Sequence, residues 1–353
     1  MISILLASAI AFMITIFATP IAIRTLRRRN NGQFIQEEVE GHQHKRGTPT
    51  MGGIVIVLAV IVGYIVAHVR VWEFGSGLNV RVLSFAGQGW LALMAFVGMG
   101  LIGFLDDFVK FARKQNMGLS KRWKLLGQVV VAVLFAWGAI ALDTSTELSF
   151  TRGLGLDLGP WFYGVLVLLM FTAVANAVNL TDGLDGLAAG SSGLVFGAFV
   201  LIAFWQFSNS GFYKVEGALD LAVVAGAIVG ATLGFLWWNA APARIFMGDV
   251  GSQAIGGALA ALALLTNTHL LLIILGGLFV MITASVILQV FTFRVWGKRI
   301  FLIAPIHHHF EMKGWPETTV IIRFWILAGI GVAVGVGVFY ADFLRATNGG
   351  VLP

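Results

Sequence analysis

Apolar runs long enough to cross a lipid bilayer fill most of this chain, and they limit its fold more than any other feature. They lie near 1–23, 51–68, 89–106, 125–142, 161–179, 187–207, 218–237, 253–267, 270–293 and 321–343. A bilayer core about 30 Å thick takes about 20 apolar residues per helix. Backbone polar groups in lipid must be satisfied within the spanning element, which favours helices. Only 11% of residues are charged and 58% are hydrophobic, whereas a soluble domain carries about a quarter charged residues. The reading is an all-α polytopic membrane protein with about ten transmembrane helices, forming one integral-membrane domain over 1–353. The first run stops at Arg24, Arg27, Arg28 and Arg29; it is too long for a cleaved signal peptide and reads as the first span. The chain has no cysteine, so disulfides and thiolate metal sites are excluded.

Ten crossings put both termini on one side and five loops on the other. Those five loops hold 18 of the 23 Lys and Arg residues. The positive-inside bias makes them cytoplasmic and places both termini outside. The net charge of +6 then follows from topology and signals no nucleic acid. The outside loops 69–88 and 143–160 carry glycine and scattered charge without convergent chemistry. Trp72, Trp90 and Trp161 read as interfacial anchors.

Polar residues gather on the cytoplasmic face. Asp106, Asp107, Asp182, Asp185 and Asp249 each lie within a residue or two of an expected helix end. Ionisable groups at membrane depth are costly and default to a functional reading. One would be an ordinary headgroup-level residue; five from three loops of one leaflet point to a shared site. In Gly103–Lys110 the adjacent aspartates suit a hard cation, and Lys110, a turn on, suits a diphosphate. A solvated helix end with an i,i+3 pair is the plainer account. Asn176–Ala188 joins two spans with almost no loop, bringing Asn179, Asp182 and Asp185 together, with glycines that permit close backbone approach.

Asn239 opens a further block, in which Gly248 and Gly251 flank Asp249 and leave it sterically open. Phe246 suits either a stacked base or a membrane anchor. Ser252 reads as a helix start, where N–H groups favour a phosphate or a simple N-cap. Ala304–Glu311 holds His307, His308 and His309 after a proline, which suggests an irregular, presented loop of phosphate donors or a plain surface loop. His42–Gly53 offers Lys45, Arg46, Thr48 and Thr50 to an anion, although topology alone also places charge there. Lys121 and Lys124 add positive field beside the same cleft.

In this order the blocks resemble the phospho-N-acetylmuramoyl-pentapeptide transferases, within the polyprenyl-phosphate N-acetylhexosamine-1-phosphate transferase superfamily. Paired Asp106-Asp107, Asn179–Asp185 and Gly248-Asp249 resemble the superfamily at large. KRGTPTMGG at Lys45–Gly53 and APIHHHFE at Ala304–Glu311 narrow the match. The resemblance implies that UDP-N-acetylmuramoyl-pentapeptide and undecaprenyl phosphate give lipid I and UMP. It also implies Mg²⁺, a homodimer, and a multi-pass place in the bacterial inner membrane with the site facing the cytoplasm. By motif match Asp249 resembles the metal ligand and Asp106 the base or nucleophile, supported by Asp107, with His307 in the same catalytic cluster. Lys45, Asp185 and Phe246 resemble uracil-side contacts; Thr50, Asn179, Asp182 and His308 resemble contacts around the ribose. Two competing readings remain: a GlcNAc-1-phosphate transferase of another envelope glycan, and a secondary transporter. Transporter sites sit near the midplane at broken helices, whereas these acids sit at helix ends.

Overall fold

The computed structural model describes residues 1–28, 47–73, 77–113 and 117–347, with the backbone alone over 70–73 and 77–81. The expected contact Lys45 lies outside the described residues. In chain order the elements are α1 (Ile2–Arg28), α2 (Gly53–Ala67), β1 (Val69–Glu73), β2 (Gly77–Val82), α3 (Gly87–Arg113), α4 (Lys121–Ala141), β3 (Glu147–Ser149) and β4 (Gly153–Asp157). They continue with α5 (Gly159–Thr181), α6 (Leu187–Ser208), α7 (Ser210–Tyr213), α8 (Ala218–Asn239), α9 (Gly248–Leu265), α10 (Leu272–Leu275), α11 (Gly277–Trp296), α12 (Ile306–Met312) and α13 (Glu317–Thr347).

Among the described residues, nine helices are long and apolar enough to cross a membrane, and α2 is a tenth, shorter apolar helix of 15 residues. The all-α polytopic reading therefore holds. Several boundaries differ from those expected. α3 continues to Arg113, so Asp106 and Asp107 lie inside the helix instead of ending it. α9 starts at Gly248, not near residue 253, which brings Asp249 into its first turn and leaves Ser252 a turn further in. The histidine triplet is not an irregular loop but part of the short helix α12. The stretches 69–88 and 143–160 fold into two antiparallel hairpins, β1–β2 and β3–β4.

Glycine rows set the helix spacing. On α8, a Cβ at Gly226 would meet Ile4, one at Gly230 would meet the Ser8 carbonyl, and one at Gly234 the Thr15 hydroxyl and the Phe12 carbonyl. Small residues four apart let backbones approach closely, which drives helix association where no water is available to expel. Trp238 Nε1 donates to Ile16 O at 3.0 Å at the end of the same seam. Residues 4, 8, 12 and 16 thus climb α1 as 226, 230, 234 and 238 climb α8, so the two helices run parallel. Gly230→Val should lower the melting temperature through overpacking of about 2 kcal/mol. Gly197→Val, with nothing within 4 Å of a Cβ, should leave it unchanged in the same detergent melt.

α9 is the centre of the bundle, with every residue from Val250 to Leu265 buried. A helix buried on all sides can be apolar all round, and its composition is. The end of the bundle that carries Asp249 also carries the last turn of α8 and the first turn of α13. α1 therefore begins, and α13 finishes, at the opposite end, where Thr151 and Arg152 meet Asp342 at 2.7 and 3.0 Å. That end holds a second buried polar knot: Asp220 accepts from Ala86 N at 2.7 Å and Tyr64 OH at 3.0 Å, with His68 Nε2 at 3.3 Å.

Candidate active site

The site is built where the starts of α4 and α9 meet the inner face of α3. Asp106, Asp107 and Lys110 share one side of α3 at i, i+1 and i+4 spacing. Gly103, a turn earlier, has no side chain; a Cβ there would strike the Asp249 carbonyl and come within 2.7 Å of Val250 N. The first turn of α9 therefore lies directly on α3, and Val250 N donates to Asp107 Oδ2 at 3.2 Å. A carboxylate in that turn also gains from the positive end of the helix dipole. Gly248 has φ +73°, the left-handed region. A Cβ on it would lie 2.6 Å from Asp107 Oδ2 and 2.9 Å from Thr50 Oγ1. Two independent demands, backbone and space, make glycine necessary there.

Two lysines bridge the acids. Lys110 Nζ lies 2.6 Å from Asp106 Oδ2, 3.2 Å from Asp107 Oδ1 and 3.2 Å from Asp249 Oδ2. Lys124 Nζ reaches Asp249 Oδ2 at 2.6 Å. Asn179 Nδ2 donates to Asp249 Oδ1 at 2.8 Å and Ser252 Oγ at 2.9 Å. Leu119 N donates to Asp106 Oδ1 at 3.0 Å. Asp106 and Asp107 are each only 4% exposed, a degree of burial that requires such pairing.

The stretch before α2 is strapped to this centre. Phe246 N donates to Pro49 O at 2.8 Å, Gly52 N to Phe246 O at 2.9 Å, and Gly53 N to Met247 O at 2.8 Å. Met51 takes φ +74° to make the turn. The strap holds Thr50 against Gly248 and leaves Phe246 half-buried beside it.

A second group adjoins the first through the α5–α6 connection. Asp185 Oδ2 accepts from Ala243 N at 2.8 Å, and Asp185 N donates to Glu317 Oε1 at 3.0 Å. Asn239 Nδ2 donates to Ile245 O at 2.9 Å, while its buried Oδ1 has no hydrogen-bond partner among the described residues. A Cβ on Gly183 would lie 2.5 Å from His307 Nε2 and 3.2 Å from His308 Nε2, so this glycine admits both imidazoles. His307 is fully buried, and His308 Nδ1 pairs with Glu311 Oε2 at 2.6 Å. Desolvation pushes the Asp182 carboxyl well above the usual range; the charges of Asp249, Asp107 and Asp185 act the same way, and a hydrogen bond from Gly248 N opposes them.

Not every expected residue joins. Lys121 is exposed on the first turn of α4 and, among the described residues, makes no ion pair with the carboxylates. His309 accepts from Leu302 N at 3.0 Å and serves that segment instead. Conversely, Leu119 and Glu317 enter the site without having been singled out. Leu119 acts through its backbone, which no side-chain pattern reveals. Glu317 is a lone acid at a helix start, separated from its partner by 132 positions.

One oxygen each from Asp106, Asp107 and Asp249 lies within 4.8 Å of the others. Three carboxylates on two helices, two of them buried and Asp249 half-buried, form a hard, all-oxygen donor set that fits a divalent cation such as Mg²⁺. A polytopic helical protein with such a centre at one end of the bundle, flanked by lysines, has the features of an integral-membrane transferase acting on phosphorylated substrates. The family described as "Glycosyl transferase family 4" matches residues 89–267. The phospho-N-acetylmuramoyl-pentapeptide-transferase signature 1 matches residues 45–57. The chain is 48% identical to the phospho-N-acetylmuramoyl-pentapeptide-transferase of Frankia casuarinae, over 98% of this chain and 99% of that one. It is 48% identical to the Streptomyces griseus protein of the same name, covering 96% and 98%. With that of Clavibacter sepedonicus the identity is 46%, covering 98% and 100%. This chain belongs to the phospho-N-acetylmuramoyl-pentapeptide-transferase family.

Proposed function

We propose that the chain transfers phospho-N-acetylmuramoyl-pentapeptide from its UDP-linked donor to undecaprenyl phosphate, giving lipid I and UMP for peptidoglycan synthesis. The observation that carries this reading is the meeting of Asp106, Asp107 and Asp249 with Lys110 and Lys124 at one end of the bundle. Both substrates are phosphate anions, so their mutual repulsion must be offset before they can react. When bound, Mg²⁺ would neutralise the donor diphosphate and stabilise the leaving UMP. Asp249 would hold it, with Asp106 and Asp107 beside it. Lys110 and Lys124, which sit on the carboxylates, would meet the same phosphates as point charges.

The acceptor is a phosphate monoester whose second pKa is near 6, by analogy with phosphoserine. It is largely dianionic at neutral pH and is itself a competent nucleophile. This favours in-line attack on the β-phosphorus, with Asp106 orienting the acceptor or taking its remaining proton. In the rival route Asp106 forms a covalent phosphosugar intermediate. Incubating the protein with donor alone and mapping Asp106 peptides by mass spectrometry distinguishes them: direct attack predicts no adduct.

Asn179, Asp182, Asp185, Asn239, Ser252, Thr50, Phe246, His307 and His308 would line the nucleotide-sugar site, with Lys45 at its edge. The whole chain would act as one inner-membrane domain. Its lysine- and arginine-rich loops support a cytoplasmic site, where a soluble donor and a lipid headgroup can meet. A homodimer is part of the proposal, testable by light scattering in detergent. The central experiment is purified protein with both substrates and Mg²⁺, expected to release UMP and lipid I in equal amounts. Turnover with UDP-GlcNAc and not with the muramoyl donor would move the assignment to another envelope glycan.

A further inference from the structure

One turn beyond Lys124 on α4 stands Gln128, and one turn beyond Asp249 on α9 stands Gln253. Gln128 Nε2 donates to Gln253 Oε1 at 2.9 Å, and the residues are 2% and 0% exposed. The lysine–aspartate pair and the amide pair thus form consecutive rungs between two helices that both start at the site. α4 gets little other guidance toward α9. It rests on α5, where Phe135 packs against Phe171 with ring centroids 5.0 Å apart, and on α3, where a Cβ at Gly127 would lie 3.0 Å from Ile102, and a Cβ at Gly98 would lie 3.1 Å from Val131. Those apolar contacts tolerate sliding and rotation, whereas a hydrogen bond in a dry interior has one good register. Gln253 Nε2 has no partner among the described residues, so the bridge is an amide placement with an unsatisfied donor, which packing alone would not favour.

We infer that the Gln128–Gln253 bridge is a positioning device that fixes the register of α4 against α9 and so holds Lys124 on Asp249. Neither glutamine touches the reacting groups; both act through the lysine and the aspartate a turn away. The link to turnover rests on the transferase reading above. A misplacement of about 1 Å at such a centre can lower a rate by about a hundredfold. Because the bridge tilts a helix without deleting a charge, about a tenfold effect is expected.

Replacing both partners with leucine removes the hydrogen bond without stranding a single buried amide. In Gln128→Leu/Gln253→Leu, acetic anhydride labelling of Lys124, quantified by peptide mass spectrometry against exposed Lys121, should accelerate about fivefold. In the UMP-release assay kcat should fall about tenfold, with KM for the UDP-linked donor changed less than twofold. Should the double variant not purify as a monodisperse species, Gln253→Met is read by the same two measurements, with the same expected directions. Unchanged Lys124 labelling overturns the inference, as does an unchanged kcat or a loss carried wholly by KM. The labelling arm does not depend on catalysis. Faster labelling in a protein whose wild type releases no UMP would sink the transferase reading and leave the positioning role standing.

Discussion

Asp249→Asn should reduce lipid I formation by about a thousandfold or more, the scale expected when a metal ligand and charge anchor is lost. Asparagine keeps the shape, and its amide oxygen can still accept from Asn179. It cannot hold a divalent cation comparably, and it removes the anion shared by Lys110 and Lys124. The fold should survive, because α9 is buried along its length by α3, α5 and α2. The check is a Mg²⁺ titration of turnover beside a thermal melt. Near wild-type activity would refute the metal assignment; a lost melting transition would show that the residue serves the fold.

Gly53→Ala should be nearly as damaging, although residue 53 carries no chemistry. A Cβ there would collide with Gly251 N and Cα, and α9 backbone cannot rotate away as a side chain can. Either α2 lifts from α9 or the first turn of α9 shifts. In both cases the strap from Pro49 to Gly53, tied to Phe246 and Met247 by three backbone hydrogen bonds, loses its register. The expected cost is about 3 kcal/mol of stability, with turnover falling about a hundredfold from misplacement of Thr50 and Asp249. Gly197→Ala is the matched control for space alone: its Cβ would meet nothing within 4 Å, and its backbone is helical. A Gly53→Ala protein with wild-type melting and turnover would show that the contact relaxes freely.

The bundle was legible because lipid imposes a long, nearly charge-free period that few other folds share. The acidic centre was legible because five aspartates beside apolar runs have no cheap explanation. What escaped was of another kind. The proline before the histidines suggests a loop, whereas Pro305 caps α12, and α9 begins at Gly248, a turn before its apolar run does. The hairpins at 69–82 and 147–157 are hard to read because their strands are only three to six residues long, although Leu78–Val82 alternates apolar and polar. Gln128, Gln253, Asp220 and His68 stand as isolated polar residues in apolar runs. Their meaning lies in pairs 125 and 152 positions apart, a separation that no local pattern encodes.

The salt-bridge geometry also argues for a particular order of events. Lys110 and Lys124 both sit on Asp249 Oδ2, while Oδ1 accepts from Asn179. On the transferase reading, a nucleotide-sugar that brings a cation to Asp249 would displace these ammonium groups. Lys124→Gln should raise the donor KM several-fold while tightening Mg²⁺ binding to the substrate-free protein, measurable by titration calorimetry.

The hydrogen bond from Asp185 to Glu317 reaches from the middle of the chain to the first turn of its last helix. His307 and His308, packed on Gly183, also come from the final stretch. A ribosome must therefore release almost the whole polypeptide into the bilayer before the pocket can close. An unfinished nascent chain would already hold the three carboxylates yet lack the wall that confines a substrate. On the proposed reading, the pocket waits for α12 and the start of α13.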